Sequence, residues 1–404
     1  MWRGDVSDAL GQFRQGRGQI RRFGDLTGSV ATQYNVSFEP FICAKPRTEK
    51  PQTENRMTIS ADKLHAFCVT ALEKVGVSSS QARTTADVLV TTDTWGIFTH
   101  GSKLLHGYEK RLRAGGLRTD AEPMVVHSAA ATALVDGQSV LGQVTSTFAM
   151  QQAISMAKET GVGFVAVRNS CHFGAAGYYA SLAAAEGMIG MSMANDVPIV
   201  AAPGSRTAVL GSNPIAYAVP ARSGHAIMLD VATSIVAAGK IFAAVQKGKS
   251  IPSGWLIDAN GLPTTDGTKF PQEAALQPMS GHKGYGIALL VESLAGLLTG
   301  AAVTHTVGSW LFDDPSGATD HGGAFLAIDV ESLMPLEQFY DRVEKLVTEI
   351  HETPKAKGSD RIYMPGEMEW EKRAHALAHG ITLPEDVVAK LREVAETVGV
   401  ESVV

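Results

Sequence analysis

The sequence predicts an α/β protein in which a central sheet domain is flanked by helical segments that meet in a second, mostly helical domain. Three observations carry this expectation. The chain has 404 residues, 45% of them hydrophobic and 19% charged, enough to bury a large core divided between two domains. Helical and strand signals interleave along the chain rather than segregating. Strand signals concentrate in residues 123–331, whereas 57–122 and 332–404 read as almost entirely helical.

Residues 1–56 stand apart. They carry scattered Arg3, Arg14, Arg17, Arg21 and Arg22 and a polar tract, K-P-R-T-E-K-P-Q-T-E-N-R, with no apolar period to bury, so they read as a flexible N-terminal extension. Asp5, Asp8 and Asp25 argue against a transit peptide. Ser60 is placed to cap a helix over 61–75 whose apolar face runs through Leu64, Phe67, Cys68 and Leu72. Further helices are expected over 80–94, 101–114, 142–159, 174–186, 235–247, 284–299, 336–352 and 384–398. Gly76, Gly115, Gly187 and Gly248 stand where four of these should stop. Strands are expected at V-G-F-V-A-V (162–167), I-G-M-S-M-A (189–194), I-A-Y-A-V (215–219), A-I-M-L-D-V (226–231) and A-F-L-A-I-D-V (324–330).

Bulk properties narrow the function classes. A net charge of -6 provides no broad basic field for nucleic acid or an anionic membrane. Three widely spaced cysteines, Cys43, Cys68 and Cys171, argue against a disulfide framework or a Cys-rich metal site and for a reducing, cytoplasmic setting. The longest apolar stretch, I-A-L-L-V-E-S-L-A-G-L-L, is broken by Glu292, and no apolar signal-peptide core opens the chain.

G-V-G-F-V-A at 161–166 superficially matches the start of a dinucleotide fingerprint. Its glycines follow a helix and enter a strand, the reverse of what phosphate binding at a helix N-terminus requires, so Gly161 reads as a helix C-cap. The chemistry-bearing stretch is R-N-S-C-H-F-G at 168–174, where a strand turns into a helix. Cys171 and His172 are neighbours and point apart, which disfavours a thiol–imidazole nucleophile pair. His172, leaving the carboxyl end of a strand, is instead placed to enter the crevice in which α/β proteins bind ligands, where an imidazole shuttles a proton near neutral pH. The competing reading is a buried histidine bonded to backbone. His100, in T-W-G-I-F-T-H-G-S-K, occupies a turn between two helices and is the second candidate.

Several separate motifs, in order, give the chain a resemblance to the type-2 malate/L-lactate dehydrogenase family, which includes ureidoglycolate and sulfolactate dehydrogenases and diketogulonate reductase. They are G-I-F-T-H-G near His100, V-R-N-S-C-H-F-G-A-A-G-Y-Y-A around His172, G-S-N-P-I-A at Gly211, L-D-V-A-T-S at Leu229, I-P-S-G-W at Ile251, H-K-G-Y-G at His282 and M-P-G-E at Met364, within about residues 57–372. The resemblance implies a homodimer with a non-Rossmann, mixed and largely antiparallel sheet, and hydride transfer between a small 2-hydroxy acid and its 2-oxo acid with NAD or NADP. It implies His172, with His100 as close second, for proton transfer, and no metal. It also implies cofactor contacts at Asp230, Val231, Ala232, Thr233 and Ser234, at His282 and Lys283, and at Pro365, Gly366 and Glu367. The sequence chemistry is compatible: Asp230 ends a strand and can accept from ribose hydroxyls, Thr233 and Ser234 can bond phosphate at a helix start, and Lys283 adds charge at another.

One departure matters for substrate choice. Where many relatives have an arginine four residues after the first histidine, this chain has Leu104, so the carboxylate clamp is expected from Lys103, Arg168 or Arg206. Asn195 and Asp196, at the strand end M-A-N-D, are the other expected substrate contacts. Rival readings are reduction of a cyclic imine carboxylate or a diketo sugar acid on the same fold, a Cys171 thiol hydrolase, and a non-enzymatic binding protein.

Overall fold

The computed structural model describes residues 57–404. The extension expected over 1–56 lies outside the described residues. β1 (Thr58–Ile59), α1 (Ala61–Lys74) and α2 (Ser79–Thr94) are followed by a 3-10 turn (Ser102–Leu104) and α3 (Leu105–Ala114). Next come β2 (Met124–Ser128), β3 (Thr132–Asp136), α4 (Gly142–Thr160), β4 (Val162–Ser170), α5 (Ala176–Ala185) and β5 (Met188–Ala194). The middle continues with β6 (Val200–Ala201), β7 (Ala208–Leu210), β8 (Ile215–Val219), β9 (Ile227–Val231), α6 (Ala238–Gln246), β10 (Leu256–Asp258), β11 (Pro263–Thr264) and β12 (Ala274–Leu276). The last part holds α7 (His282–Glu292), a π-helical turn (Ser293–Leu297), β13 (His321–Asp329), α8 (Leu336–His351), α9 (Glu367–His379), β14 (Ile381–Thr382) and α10 (Glu385–Val398).

The main sheet is seven-stranded, in the order β2-β3-β4-β13-β5-β8-β9. Every pairing is antiparallel except β3 with β4. This is the mixed, largely antiparallel, non-Rossmann sheet that the resemblance implied. A smaller sheet runs β11-β10-β12-β6-β7.

Both faces of the main sheet are covered, which is why its central strands read as apolar runs rather than alternating ones. Val165 and Val167 of β4, Phe325 and Ala327 of β13, and Ala216 and Ala218 of β8 pack with the alanine stripes of α4 (Ala149, Ala153, Ala157) and α5 (Ala176, Ala180, Ala183). The opposite face presents Phe164, Met193, Ile215 and Ala324 to Val291 and Ala295 around α7 and the π turn. Glycines set the spacing between layers. A Cβ on Gly163 would lie 2.0 Å from the Ala153 carbonyl oxygen, one on Gly190 2.3 Å from that of Ala180, and one on Gly322 1.7 Å from that of Ala295.

The two ends of the described region come together. β1 pairs antiparallel with β14, and one buried cluster draws Leu64, Phe67 and Leu72 of α1, Leu89 of α2, Leu105 and Tyr108 of α3, and Val387, Leu391 and Val394 of α10. Ser60 caps α1 through a bond from the Lys63 amide, as its sequence position predicts. Gly161 caps α4 at φ 83° and hands the chain to β4, in agreement with the rejected fingerprint.

Three expected helices are trimmed or broken. The one expected over 235–247 begins only at Ala238, the one over 174–186 at Ala176, and the one over 284–299 passes into the π turn after Glu292. β2 and α9 escaped the pattern reading for a common reason: β2 is exposed throughout and α9 buries only Ala376, so neither carries a strong apolar period.

Replacing Gly190 with valine is expected to force α5 off the sheet and cost about 1–3 kcal/mol. Calorimetry should record a lower Tm; an unchanged Tm would show that the layers are not held at this distance.

Candidate active site

The site follows from strand direction. β4 and β5 both run antiparallel to β13, which lies between them, and β9 runs antiparallel to β8, itself antiparallel to β5. The carboxyl ends of β4, β5 and β9 and the amino end of β13 therefore share one sheet edge. Just beyond the ends of β4 and β5 stand His172 and Asp196, Asp230 is the penultimate residue of β9, and β13 opens with His321. The N-terminus of α5 meets the same edge, because the Asp230 Oδ2 atom accepts the Gly177 N–H at 2.7 Å.

His100 arrives from the helical side on the turn between α2 and the 3-10 segment. That turn is pinned from below by the fully buried carboxyl of Asp93, which accepts the Ser102 N–H at 3.0 Å. A Cβ on Gly101 would fall 1.9 Å from Asp93 Oδ1, so only glycine allows this approach. Burial pushes Asp93 up to about 7, with the Ser102 contacts opposing. The Thr99 hydroxyl lies 2.9 Å from His100 Nδ1.

The two histidines come together. Their ring centroids are 5.9 Å apart. The hydroxyl of Tyr108, on α3, lies 2.8 Å from His172 Nδ1, and the Gly174 N–H donates to the same nitrogen at 3.4 Å. The indole of Trp310 stacks on the imidazole of His172 at 4.4 Å between centroids and 17° between planes, and on Tyr108 at 5.2 Å. His172 Nε2 has no hydrogen-bond partner among the described residues. Burial, with His100 and His321 adding to it, pushes His172 down to about 3 against the pull of Asp196. Burial lowers His100 as well, with Asp196 again opposing. Both rings are therefore neutral at ordinary pH.

Asp196 faces this pair from β5. Burial raises its carboxyl, but His321, with Nε2 3.3 Å from Asp196 Oδ1, outweighs burial and holds it below the usual carboxylate range. Its Oδ2 accepts the Ser212 hydroxyl at 3.2 Å.

The expected cofactor residues gather only in part. Asp230 shares a cavity of about 390 Å³ with Pro365 and Gly366, walled by Trp95, Ile97, Met228 and Met364. Gly366 stands at φ 90° against β9, and the Pro365 carbonyl accepts the Met228 N–H at 3.0 Å. Burial, reinforced by Glu369, pushes Asp230 up to about 6 against the Gly177 N–H. Thr233 and Ser234 do not open a helix: their hydroxyls donate to the Ser212 and Val236 carbonyls, each at 2.9 Å. The same turn holds the segment entering α7, through the Met279 N–H bond to Thr233, which places exposed His282 and Lys283 at that helix start. Val231 and Ala232 are half-buried beside them in sequence. Glu367 does not line the cavity; its carboxylate meets His351 at 2.9 Å, Arg361 at 3.2 Å and the Met364 N–H at 3.0 Å.

Other candidates are engaged elsewhere. Lys103 pairs with Asp386 of α10 at 2.6 Å, and Arg168 with Asp136 at 3.5 Å. Arg206 is exposed against Gly261. Asn195 is buried and commits its amide to the Ala302 carbonyl at 2.7 Å and the Gly322 N–H at 2.8 Å. Cys171 is buried and desolvation raises its thiol, which corrects the thiol-hydrolase alternative: no thiolate is available, and the His172 nitrogen on the inner side is taken by Tyr108. Among the described residues, no group of three or more His, Cys, Asp or Glu is placed to hold a metal ion. Nor is any helix among them long and apolar enough to cross a membrane. Sequence reasoning missed Tyr108, Trp310 and Asp93. L-L-H-G-Y names the first in a helical stretch, but nothing local says that it reaches a residue 64 positions away.

A family model described as malate/L-lactate dehydrogenase matches residues 59–392. The malate dehydrogenase of Pyrococcus horikoshii is 38% identical over 355 residues, covering 86% of this chain and 97% of that one. The ureidoglycolate dehydrogenase (NAD(+)) of Escherichia coli is 31% identical over 331 residues, covering 82% and 94%. The crystal structure of malate dehydrogenase from Entamoeba histolytica superposes with a TM-score of 0.81 at 32% identity, covering 86% and 99%. The chain belongs to the malate/L-lactate dehydrogenase family.

Proposed function

We propose that the protein interconverts a small 2-hydroxy acid of the malate, lactate or sulfolactate kind and its 2-oxo acid, with NAD or NADP as hydride partner and His172 as the acid–base group. The observation that carries this reading is a half-buried imidazole with Nδ1 engaged and Nε2 unpartnered among the described residues, on the sheet edge that also bears the Asp230 cavity.

The residues fit a nicotinamide dinucleotide. Ribose hydroxyls need acceptors, and Asp230 commits one carboxyl oxygen to Gly177 while lining the cavity. The apolar walls suit a base, and the buried Trp95 Nε1–H beside them has no acceptor among the described residues. Lys283 supplies positive charge at the start of α7, where a phosphate is favoured. When bound, the dinucleotide supplies the acceptor or donor of hydride at the carbinol carbon.

The protein's part is to orient the acid and move one proton. In oxidation, the Nδ1–H tautomer of neutral His172, its proton donated to the Tyr108 oxygen in place of the long 3.4 Å Gly174 contact, takes the hydroxyl proton at Nε2; in reduction the imidazolium returns one to the developing alkoxide. The Tyr108 hydroxyl both donates and accepts, so it serves either tautomer of the ring without movement. A substrate carboxylate entering this pocket favours imidazolium by Coulomb attraction, opposing the burial that lowers His172.

A second reading has its own support. The anionic Asp196 beside both histidines favours a cationic imine, as in a cyclic imine carboxylate. Oxidation of NADH and NADPH with pyruvate, oxaloacetate and piperideine-2-carboxylate separates the two. Turnover of a 2-oxo acid is expected, and imine turnover alone would overturn the first reading.

His172→Gln is expected to lower turnover about 100-fold or more while leaving NADH binding, read by fluorescence titration, within a few-fold of the parent. Near-parental turnover would remove His172 from the chemistry. In the parent, kcat/KM for oxidation should hold its plateau as pH falls through the ordinary imidazole range near 6.5, because His172 stays neutral until about 3. An acid limb at the ordinary imidazole value would contradict the burial argument.

We also propose a homodimer. Ile287, Leu290, Leu297 and Leu298, 37%, 53%, 65% and 60% exposed, crowd α7 and the residues after it, a contiguous apolar face that a second copy would cover. Sedimentation should give a dimer for the parent and a monomer for the double variant Leu297→Glu, Leu298→Glu; a dimer in both would place the interface elsewhere.

A further inference from the structure

Arg111 is 2% exposed, a guanidinium buried in the helical core with no carboxylate bonded to it among the described residues. Burying such a charge costs several kcal/mol unless its donors are satisfied. Nε has no partner among the described residues, and the terminal nitrogens are used on a single loop: Nη1 reaches the carbonyls of Ser309 at 3.5 Å and Trp310 at 3.4 Å, and Nη2 bonds that of Gly317. The loop is cross-braced by the Ser309 N–H to Asp313 at 2.7 Å and the Phe312 N–H to the Ser309 hydroxyl at 3.1 Å. Its one deeply buried aromatic, Trp310, is 8% exposed and lies over His172 and Tyr108. Helix α3 meets the indole at Gly107, where a Cβ would fall 2.7 Å from the ring, so the helix is cut away to admit it.

We propose that Trp310 is a positioning residue for the reaction: held by Arg111 from beneath, its indole covers one face of the His172 imidazole, fixes the plane of that ring, and keeps water from it. The assignment rests on the reading of His172 as the acid–base group. The four groups meet in a fixed order. Arg111 and Tyr108 leave α3 one helical turn apart, the first gripping the loop backbone and the second holding His172 Nδ1. Trp310 packs over both rings, so with Nδ1 tied and one face stacked, the imidazole retains a single orientation for Nε2. The other titratable groups near this ring are His100, Asp196 and His321. Solvent admitted at the indole would let its proton affinity relax toward that of an ordinary histidine.

The test follows the His172 imidazole directly, by ¹³Cε1 NMR titration assigned with His172→Gln, alongside steady-state kinetics. In Trp310→Ala the ring is expected to titrate about one pH unit or more above the parent, with kcat down about tenfold or more and NADH affinity within a few-fold of the parent. Trp310→Phe should restore both the titration and most of kcat. Arg111→Met, which fills the core but frees the loop carbonyls, should move the titration in the same direction as Trp310→Ala. If Trp310→Ala fails to fold by circular dichroism, Trp310→Leu and Arg111→Met carry the test. An unmoved titration with kcat within about threefold of the parent in the folded variants would overturn the assignment. Retained turnover in His172→Gln would instead overturn the underlying reading, leaving the NMR result to stand for the packing alone.

Discussion

The insertion of β13 between β4 and β5, antiparallel to both, is the constraint from which the rest of the site follows. Because β13 reverses direction between them, β4 and β5 run the same way and finish at one edge. The residues that follow each strand, His172 and Asp196, are then neighbours of His321 where β13 begins. Close packing enforces the arrangement. α4 and α5 rest on the sheet at Gly163 and Gly190, with helix carbonyls where Cβ atoms would otherwise be, so α5 can start only where its N-terminus meets Asp230. Pairing, layer spacing and the direction of one helix dipole thus converge on the same crevice.

Inside the crevice two effects compete over the charge of the imidazoles. Desolvation favours neutral rings; Asp196 favours protonated ones. Desolvation wins because Asp196 is already engaged with His321, which moderates the field it offers to His172. On the proposed reading, a neutral imidazole covered by the Trp310 indole suits removal of a hydroxyl proton.

Much of this was legible in the sequence, and the boundary is physical. Helices with a strong apolar face, such as α1 and α10, and strands buried on both sides, such as β4 and β13, announce themselves through local periodicity. His172 and Asp230 stood out as candidates because motif and strand end coincide, and His100 because its motif falls in a turn between helices. Tyr108 and Trp310 did not, since their contacts with His172 span sequence separations of 64 and 138 positions, which no local window contains. Thr233 and Ser234 mark the opposite failure. Residues that cap helices in general turn their hydroxyls here onto carbonyls of the β7–β8 connection and of their own turn, because α6 begins only at Ala238.

Leu104 ties the helical layer to the chemistry. It packs against the core cluster that joins α1, α2, α3 and α10. Lys103, the adjacent cation, turns away to Asp386 on α10. This chain thus commits the segment after His100 to holding its two ends together, with an apolar residue and an outward ion pair at positions where a guanidinium could have faced the substrate. The helical ends of the chain consequently do more than cover the sheet. Through α3 they present Tyr108 to one side of His172, and through Arg111 they grip the loop that brings Trp310 to its face. Loosening the union of the ends would therefore reach the imidazole without touching the sheet that carries it.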